Sequence, residues 1–414
     1  MRKQTPTVYA KIILKPGKEE SLKRFHPWVF SGAIARTEPL SKKNAVQEGD
    51  KVQVLSSTGQ ILGAGHVQIG SIAVRMLRFD EGAIDASFYE DRMEKALQLR
   101  KELCFPRKDN NCFRLVHGEG DFLPGLVVDV YGDTAVMQAH SVGMHVDREI
   151  IAQAILKTCG KFIKNVYYKS ESTLPFNAGL EVKDGYLEAS ETTPETAPVA
   201  VENGIKFYPD WVQGQKTGFF VDQRENRALV EHYAKGKNVL NMFCYTGGFS
   251  LYALRGGAKL VHSVDASAKA VELCRRNVAL NFGEAAKAHE AYAQDAFDYF
   301  HHLEQDPDAP RYNLMIVDPP AFAKHQKVLR QALQGYRKLN AAAIRNIAPG
   351  GILFTFSCSQ AVSKEDFRLA VFSAAAQTGR KVQILHQLTQ PADHPVNIYH
   401  PEGEYLKGLV LRVE

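Results

Sequence analysis

The 414-residue sequence predicts an α/β protein in three parts: a small all-β barrel over residues 1–80, a mixed α/β segment over 81–199, and a doubly wound, mostly parallel sheet over 200–414. Three observations carry this reading. The apolar pattern changes period near residue 80 and again near residue 200. The stretch EASETTPETAPVAVEN, residues 188–203, holds four glutamates, two prolines and no basic residue, which is linker composition. Charge is also unevenly spread: 13 Lys and Arg against 6 Asp and Glu give the first 80 residues +7, which leaves −2 for the rest of a +5 chain.

In the first part the short β-branched runs VYAKIIL, DKVQVLS, QILGAGHVQ and SIAVRMLRF are separated by Pro16-Gly17, Glu48-Gly49-Asp50 and Thr58-Gly59, the spacing of a small barrel. FYEDRMEKALQLR then turns helical. LVVDVY and DTAVMQAHS predict a hairpin around Tyr131-Gly132-Asp133, VDREIIAQAILKTCG a helix ending at Gly160, and KNVYYKS a strand. Beyond residue 200 strands and helices alternate. KNVLNMF, KLVHSVDAS, a short run near 288–291, YNLMIVD and GILFTFS read as strands. GGFSLYALRGG, KAVELCRRNVALNF, DAFDYFHHL and residues 328–347 read as the helices between them.

Composition narrows the classes. With 45% hydrophobic and 23% charged residues the chain is of ordinary globular type. No apolar run reaches bilayer-spanning length, and MRKQTPTVYAKIILKPGK lacks the apolar core of a signal peptide, so neither a membrane nor secretion is expected. Six cysteines without a CxxC pair, of which only Cys104 and Cys112 are close together, argue against a disulfide framework or a structural zinc site. No metal is expected, and a reducing cytoplasm is the natural compartment. The basic first part is an electrostatic footprint for a polyanion, though a well-solvated surface has the same composition.

Ligands of doubly wound sheets bind beyond the carboxyl ends of the strands, so the residues at those ends are the candidates. The first strand runs out into NMFCYTGGFS, where Gly247-Gly248 allow a tight turn at a helix start. The second ends at Asp265, a carboxylate suited to both hydroxyls of a ribose. The third leads to Asp295, the fourth to Asp318-Pro319-Pro320 and the fifth to Ser357-Cys358-Ser359. Phe243 and Tyr245 stand where the G-x-G-x-x-G fingerprint would put glycines, so a pyrophosphate cradle is disfavoured. A nucleoside without phosphates fits better, and S-adenosylmethionine is the obvious cofactor of that kind. The two prolines hold a rigid arm from which Asp318 can reach the edge of a planar base. Cys358 is either a small apolar filler or a nucleophile at the open end of the sheet, and composition alone does not choose.

The chain resembles the bacterial class I large-subunit rRNA cytosine-5 methyltransferases that carry an N-terminal PUA domain. The resemblance rests on RFHPWVFSGAI, FRLVHGEGDFLPGLVVDVYGD, QKTGFFVDQRENR, NMFCYTGGFS, VDPPAFA, TFSCSQ and DHPVNIYHPEGEYLKGLVLRV, and spans nearly the whole length. It implies that residues 1–80 are a PUA RNA-binding domain, 81–199 a mixed α/β middle domain, and 200–414 a Rossmann-like methyltransferase domain binding S-adenosylmethionine. It also implies that residues 215–227, with Gln215, Phe219, Gln223 and Arg224, and residues 243–248, with Phe243, Tyr245, Thr246, Gly247 and Gly248, hold the methionine end of the cofactor. Asp265 with Ala266 and Ser267 would take the ribose, Asp295 with Ala296 the adenine, and Asp318 and Pro319 would line the same pocket. Cys358 becomes the catalytic thiol and Asp318 its partner on the base. RNA is the implied partner, with a homodimer compatible but not fixed by any residue. One departure stands out: better-known RNA cytosine-5 methyltransferases carry a second cysteine after the prolines, where this chain has Ala321.

Thiolate addition to carbon 6 of cytosine needs an exposed thiol of lowered pKa, and Lys324 or the region of Lys364 is the expected source of positive charge. Methylation of an exocyclic amine of adenine or guanine is the competing reading, since a DPP-type arm alone would serve it. An RNA-binding factor that has lost the chemistry is a further one. Cys244 and Cys274 read as packing residues, His301-His302 as a solvated helix end, and Trp28 as barrel core with a stacking role toward RNA as its alternative.

Overall fold

The computed structural model describes residues 9–40, 45–175, 179–180, 182–189, 199–323 and 326–414. The chain folds into two compact units. The first comprises Met1–Val201, Pro209–Val221 and Ala392–Gly403; the second comprises Glu202–Tyr208, Asp222–Pro391 and Glu404–Glu414.

The first unit opens with β1 (Ala10–Leu14), α1 (Glu20–Lys23), β2 (Trp28–Phe30), β3 (Ile34–Pro39), β4 (Lys51–Leu55), β5 (Ile61–Val67) and β6 (Ile72–Arg78). Their six-stranded sheet runs in the order β2-β6-β5-β4-β1-β3, antiparallel except for β1 beside β4. Alternate residues such as Ile12, Leu14, Val52, Val54, Val74 and Met76 turn into its core. The glycines of QILGAGHV are demanded by close approach: a Cβ on Gly63 or Gly65 would lie 2.1 Å from the carbonyl of Arg78 or Arg75 on β6. Trp28 departs from expectation. It is only half-buried and outside this core, because its indole N–H needs an acceptor and finds Glu119 Oε1 at 3.0 Å, with the Arg75 guanidinium over its ring and His400 4.2 Å away.

The unit continues with α2 (Ala86–Glu102), β7 (Cys112–His117), β8 (Leu126–Tyr131), β9 (Thr134–Ala139), α3 (Val142–Val146), α4 (Arg148–Cys159), β10 (Asn165–Tyr168), β11 (Gly185–Glu188) and β12 (Ala200–Glu202). A five-stranded sheet in the order β11-β10-β9-β8-β7 packs against α2 and α4. The expected hairpin closes with Tyr131 opposite Thr134 and Gly132 at φ +64°, and the expected helix ends at Gly160. It begins at Arg148, and Asp147, between it and α3, has a buried carboxylate that accepts from Tyr89 (2.6 Å), Lys51 (2.9 Å) and His66 (3.2 Å). Burial pushes this carboxyl up, but His66, Lys51 and Tyr89 outweigh it and hold it below its ordinary range.

The second unit contains β13 (Ile205–Phe207), α5 (Arg224–Ala234), β14 (Asn238–Met242), α6 (Gly248–Arg255), β15 (Leu260–Asp265), α7 (Ala268–Phe282), β16 (His289–Ala293), α8 (Ala296–Gln305), β17 (Tyr312–Val317), α9 (Leu329–Asn346), β18 (Ile347–Ser357), α10 (Lys364–Thr378), β19 (Val382–Leu388) and β20 (Lys407–Val413). β13 pairs with β12. The main sheet has the order β16-β15-β14-β17-β18-β20-β19. β14 to β18 are mutually parallel, and β20 lies antiparallel between β18 and β19. The parallel strands read as continuous apolar runs because helices cover both faces, α8, α9 and α10 on one and α5 and α6 on the other. The order of connection reverses between β14 and β17, so the crevice for a ligand opens beyond those two strand ends.

Candidate active site

The turn after β14 has its own backbone logic. Phe243, Tyr245 and Gly247 all take left-handed φ values, +58°, +46° and +85°. Two aromatic residues thus hold the conformation that a fingerprint would give to glycine, at a steric cost that the surroundings must offset. Gly247 cannot be replaced in kind: a Cβ there would sit 2.4 Å from Cys274 Sγ on α7. Asn277 of α7 donates to the Thr246 carbonyl at 2.9 Å, which ties the turn to that helix. Thr246 Oγ1 is buried with no hydrogen-bond partner among the described residues, a polar atom left for a ligand.

Asp265 ends β15 opposite this turn. Its two oxygens accept the Tyr245 and Ser267 N–H groups, each at 2.9 Å. Each carboxylate oxygen keeps a further lone pair, and the residue is half-exposed beside exposed Ala266 and Ser267. That is the acceptor set two vicinal hydroxyls require, so the residues fit an adenosyl group. Asp295, beyond β16, caps α8 by accepting from Phe297 at 2.7 Å and Asp298 at 3.3 Å; it is exposed and Ala296 is buried.

Beyond β17, Asp318 is half-exposed and accepts the Gln223 side-chain amide at 3.0 Å. Asn226 donates to Gln223 Oε1 at 2.6 Å and so fixes which end of that amide faces Asp318. Arg224, beside Gln223 at the start of α5, is 1% exposed. Gln215 and Phe219 lie instead in the first unit, in a segment held there by Tyr131, whose hydroxyl donates to the Phe219 carbonyl at 3.2 Å, and by Lys169, which donates to Trp211 O and Gly214 O.

Cys358 follows β18 directly and is half-buried. β18 lies alongside β17 with Thr355 opposite Val317, so Cys358 and Asp318 emerge from adjacent strands. Ser359 Oγ donates to Ala323 O at 2.5 Å and draws the two exits together. The cation at this point is one that the sequence reading missed. Lys407, first residue of β20, pairs in register with Ser357, and its buried Nζ donates to Ser359 O at 2.6 Å and Val362 O at 2.7 Å. Burial pushes this ammonium down to about 8, against an opposing pull from Cys358. Lys364 is exposed and paired with Glu404 at 2.5 Å, and Lys324 lies outside the described residues. Sequence pattern could have found Lys407 only through strand pairing across fifty positions.

None of the six cysteines is in a disulfide. Cys244 and Cys274 are both buried and share a hydrogen bond that, with burial, pushes the Cys244 thiol well up, which suits a packing role. Behind them Asn241, Ser250, Ser263 and His289 form a buried hydrogen-bonded chain reaching Cys274, with side-chain separations of 2.8, 2.6, 2.8 and 3.7 Å. His301 and His302 are exposed near the end of α8. Among the described residues no helix is long and apolar enough to cross a membrane.

A doubly wound sheet with a ribose-suited acid at the second strand end and no phosphate fingerprint defines a nucleoside-binding transferase domain, and comparison makes the class specific. A family model for S-adenosylmethionine-dependent methyltransferases matches residues 184–412, and one for PUA-like domains matches residues 12–79. Ribosomal RNA large subunit methyltransferase I of Alteromonas mediterranea is 40% identical over 406 residues, covering 98% of this chain and 99% of the relative. The protein of that name from Tolumonas auensis is 38% identical, covering 97% and 98%. The chain belongs to this family of S-adenosylmethionine-dependent methyltransferases, and S-adenosylmethionine is its cofactor. The same fold recurs in a solved structure assigned as a methyltransferase of this cofactor class from Streptococcus mutans, with TM-score 0.80, 23% identity, and coverage of 97% of this chain and 100% of that one.

Proposed function

We propose that this protein methylates carbon 5 of a cytosine in large-subunit ribosomal RNA, with Cys358 as the nucleophile. The observation that carries the reading is the buried Lys407 ammonium clamped over the turn that presents Cys358, next to the strand that presents Asp318. The names of the relatives support ribosomal RNA as substrate, and the PUA-like segment with its excess of Lys and Arg supports RNA as the partner.

Carbon 5 of cytosine is a poor nucleophile. When bound, S-adenosylmethionine would supply an electrophilic methyl group and leave as S-adenosylhomocysteine. Lys407 favours the thiolate of Cys358, which adds to carbon 6 and makes carbon 5 nucleophilic. Asp318 holds the base edge and Gln223 orients Asp318. After carbon 5 takes the methyl group, a base removes its proton as the bond from sulfur to carbon 6 breaks. The target must leave its stack to reach a strand end. The turn at 243–248, with Gln223 and Arg224, takes the methionine end of the cofactor; Asp265, Ala266 and Ser267 take its ribose; Asp295 and Ala296 its adenine.

RNA carrying 5-fluorocytosine at the target tests this, because fluorine cannot leave as a proton does. The wild type should form a covalent adduct, Cys358→Ala should form none, and Cys244→Ala should still form it. Full methyl transfer by Cys358→Ala, or methyl groups on an exocyclic amine in mapped ribosomal RNA, would replace this mechanism with amine methylation.

A further inference from the structure

A cleft of about 510 Å³ lies between α9 and α10, lined on the α9 side by Lys327, Leu329, Arg330, Leu333 and Arg337 and on the α10 side chiefly by Leu369. We propose that it binds a single-stranded RNA segment flanking the methylated nucleotide. The proposal rests on the function proposed above and specifies where its substrate lies.

Position is the first argument. α9 follows the Asp318-Pro319-Pro320 exit of β17, and α10 follows the Cys358 exit of β18. The cleft is built from the first half of α9 and the facing part of α10, so it opens on the rim of the candidate active site. RNA whose target base is turned into that site must continue past this rim.

Charge is the second. Lys327, Arg330 and Arg337 are exposed, and among the described residues none of them makes an ion pair. Arg330 and Arg337 are seven residues apart on α9 and therefore share one face. The acid in the lining, Asp366, is committed to capping α10, where it accepts the Ser363 hydroxyl at 2.7 Å. Three cations against that one carboxylate leave the lining net positive, which suits a phosphate backbone.

The apolar side supplies the rest. Leu369 is 59% exposed, and Phe372, three residues on along α10, is 65% exposed. A solvent-facing phenyl ring on the helix that forms one wall, with cations on the helix that forms the other, is a pairing on which unstacked bases settle, with phosphates on the cations and a base on the ring. A protein partner would use the same apolar strip but gains little from three uncompensated cations unless it is acidic.

The test is binding of the full-length protein to unmodified large-subunit ribosomal RNA transcribed in vitro, measured across a salt series. Each phosphate contact on a single strand contributes about 0.7 to the slope of log affinity against log salt. Arg330→Gln with Arg337→Gln should therefore lower the slope by about 1.4 and weaken binding about tenfold near 0.15 M salt. Phe372→Ala should weaken binding about tenfold with the slope unchanged, since stacking releases no counterions. Both variants should bind S-adenosylmethionine as the wild type does, which controls for folding. An unchanged slope and affinity in the arginine variant would overturn the proposal; if sedimentation then showed altered self-association, the cleft would be a protein interface. A wild type that binds RNA without forming the 5-fluorocytosine adduct would count against Cys358 chemistry and leave the cleft standing.

Discussion

Replacing Lys407 with methionine removes the cation that the sheet buries beside Cys358. In the folded protein this ammonium is pushed down to about 8, yet it remains about nine-tenths charged at pH 7. Two of its three protons are held by Ser359 O and Val362 O, which fixes it over the turn at 357–362, where the charge of Cys358 acts on it. A nearby opposite charge is worth about one to three pH units to an ionising group, and one unit is tenfold in the population of the charged form. Taking the low end, because two protons are committed to carbonyls, Lys407→Met should slow alkylation of Cys358 at pH 7 about tenfold. The assay is peptide-resolved mass spectrometry after brief iodoacetamide treatment from pH 6 to 10, which separates Cys358 from exposed Cys104. The variant should approach the wild type above pH 8, where Lys407 loses its own proton. Lys407→Gln, which keeps a donor for one carbonyl, should behave like methionine if charge is what matters. Coincident pH profiles for wild type and both variants would refute the assignment of Lys407 to the thiolate.

Asp265→Ala removes the acceptors available to two ribose hydroxyls, so S-adenosylmethionine affinity by calorimetry should fall at least about ten- to a hundredfold, the loss of a single charged hydrogen bond of about 1.5–3 kcal/mol; an unchanged dissociation constant would displace the ribose from β15. Asp147→Asn strips charge from a carboxylate shared by His66, Lys51 and Tyr89 and should cost about 3 kcal/mol in urea unfolding at pH 7. Because the folded carboxyl is depressed, its stabilisation is present above the ordinary carboxylate range and is lost as pH falls through the lowered folded value. The gap between wild type and Asp147→Asn should therefore close in acid, and a gap constant with pH would show that the charge contributes nothing.

The alternating strands and helices of the second unit were readable because parallel strands buried on both faces are uniformly apolar, as in YNLMIV and the end of β18, while α9 carries a clear 3.6 period. What escaped was long-range. β20 inserts between β18 and β19, and nothing local to KGLVLRV announces that neighbour or that Lys407 will face Cys358. In the first unit β2 was too short to stand out, and β3 is exposed along almost its whole length and so carries no apolar alternation. The part played by Asp147 went unread because it is tertiary, with three partners contributed by β4, β5 and α2. At the candidate site, the rule that ligands gather at strand ends singled out Asp265, Asp318 and Cys358. Gln223 was named through the family resemblance, but its contacts with Asn226 behind it and Asp318 in front needed the structure.

The late position of β20 in the chain has a kinetic consequence. Ser357 and Lys407 are fifty positions apart, and the chain between them contains α10, β19 and Ala392–Gly403, which belongs to the other unit. Contacts of such sequence separation form slowly, because loop closure must precede any reward. On the mechanism proposed above, the helical signal can therefore recover during refolding while Cys358 still lacks Lys407, so a population with native-looking secondary structure would be chemically silent. Competence to methylate is in this sense a report on the last strand to dock.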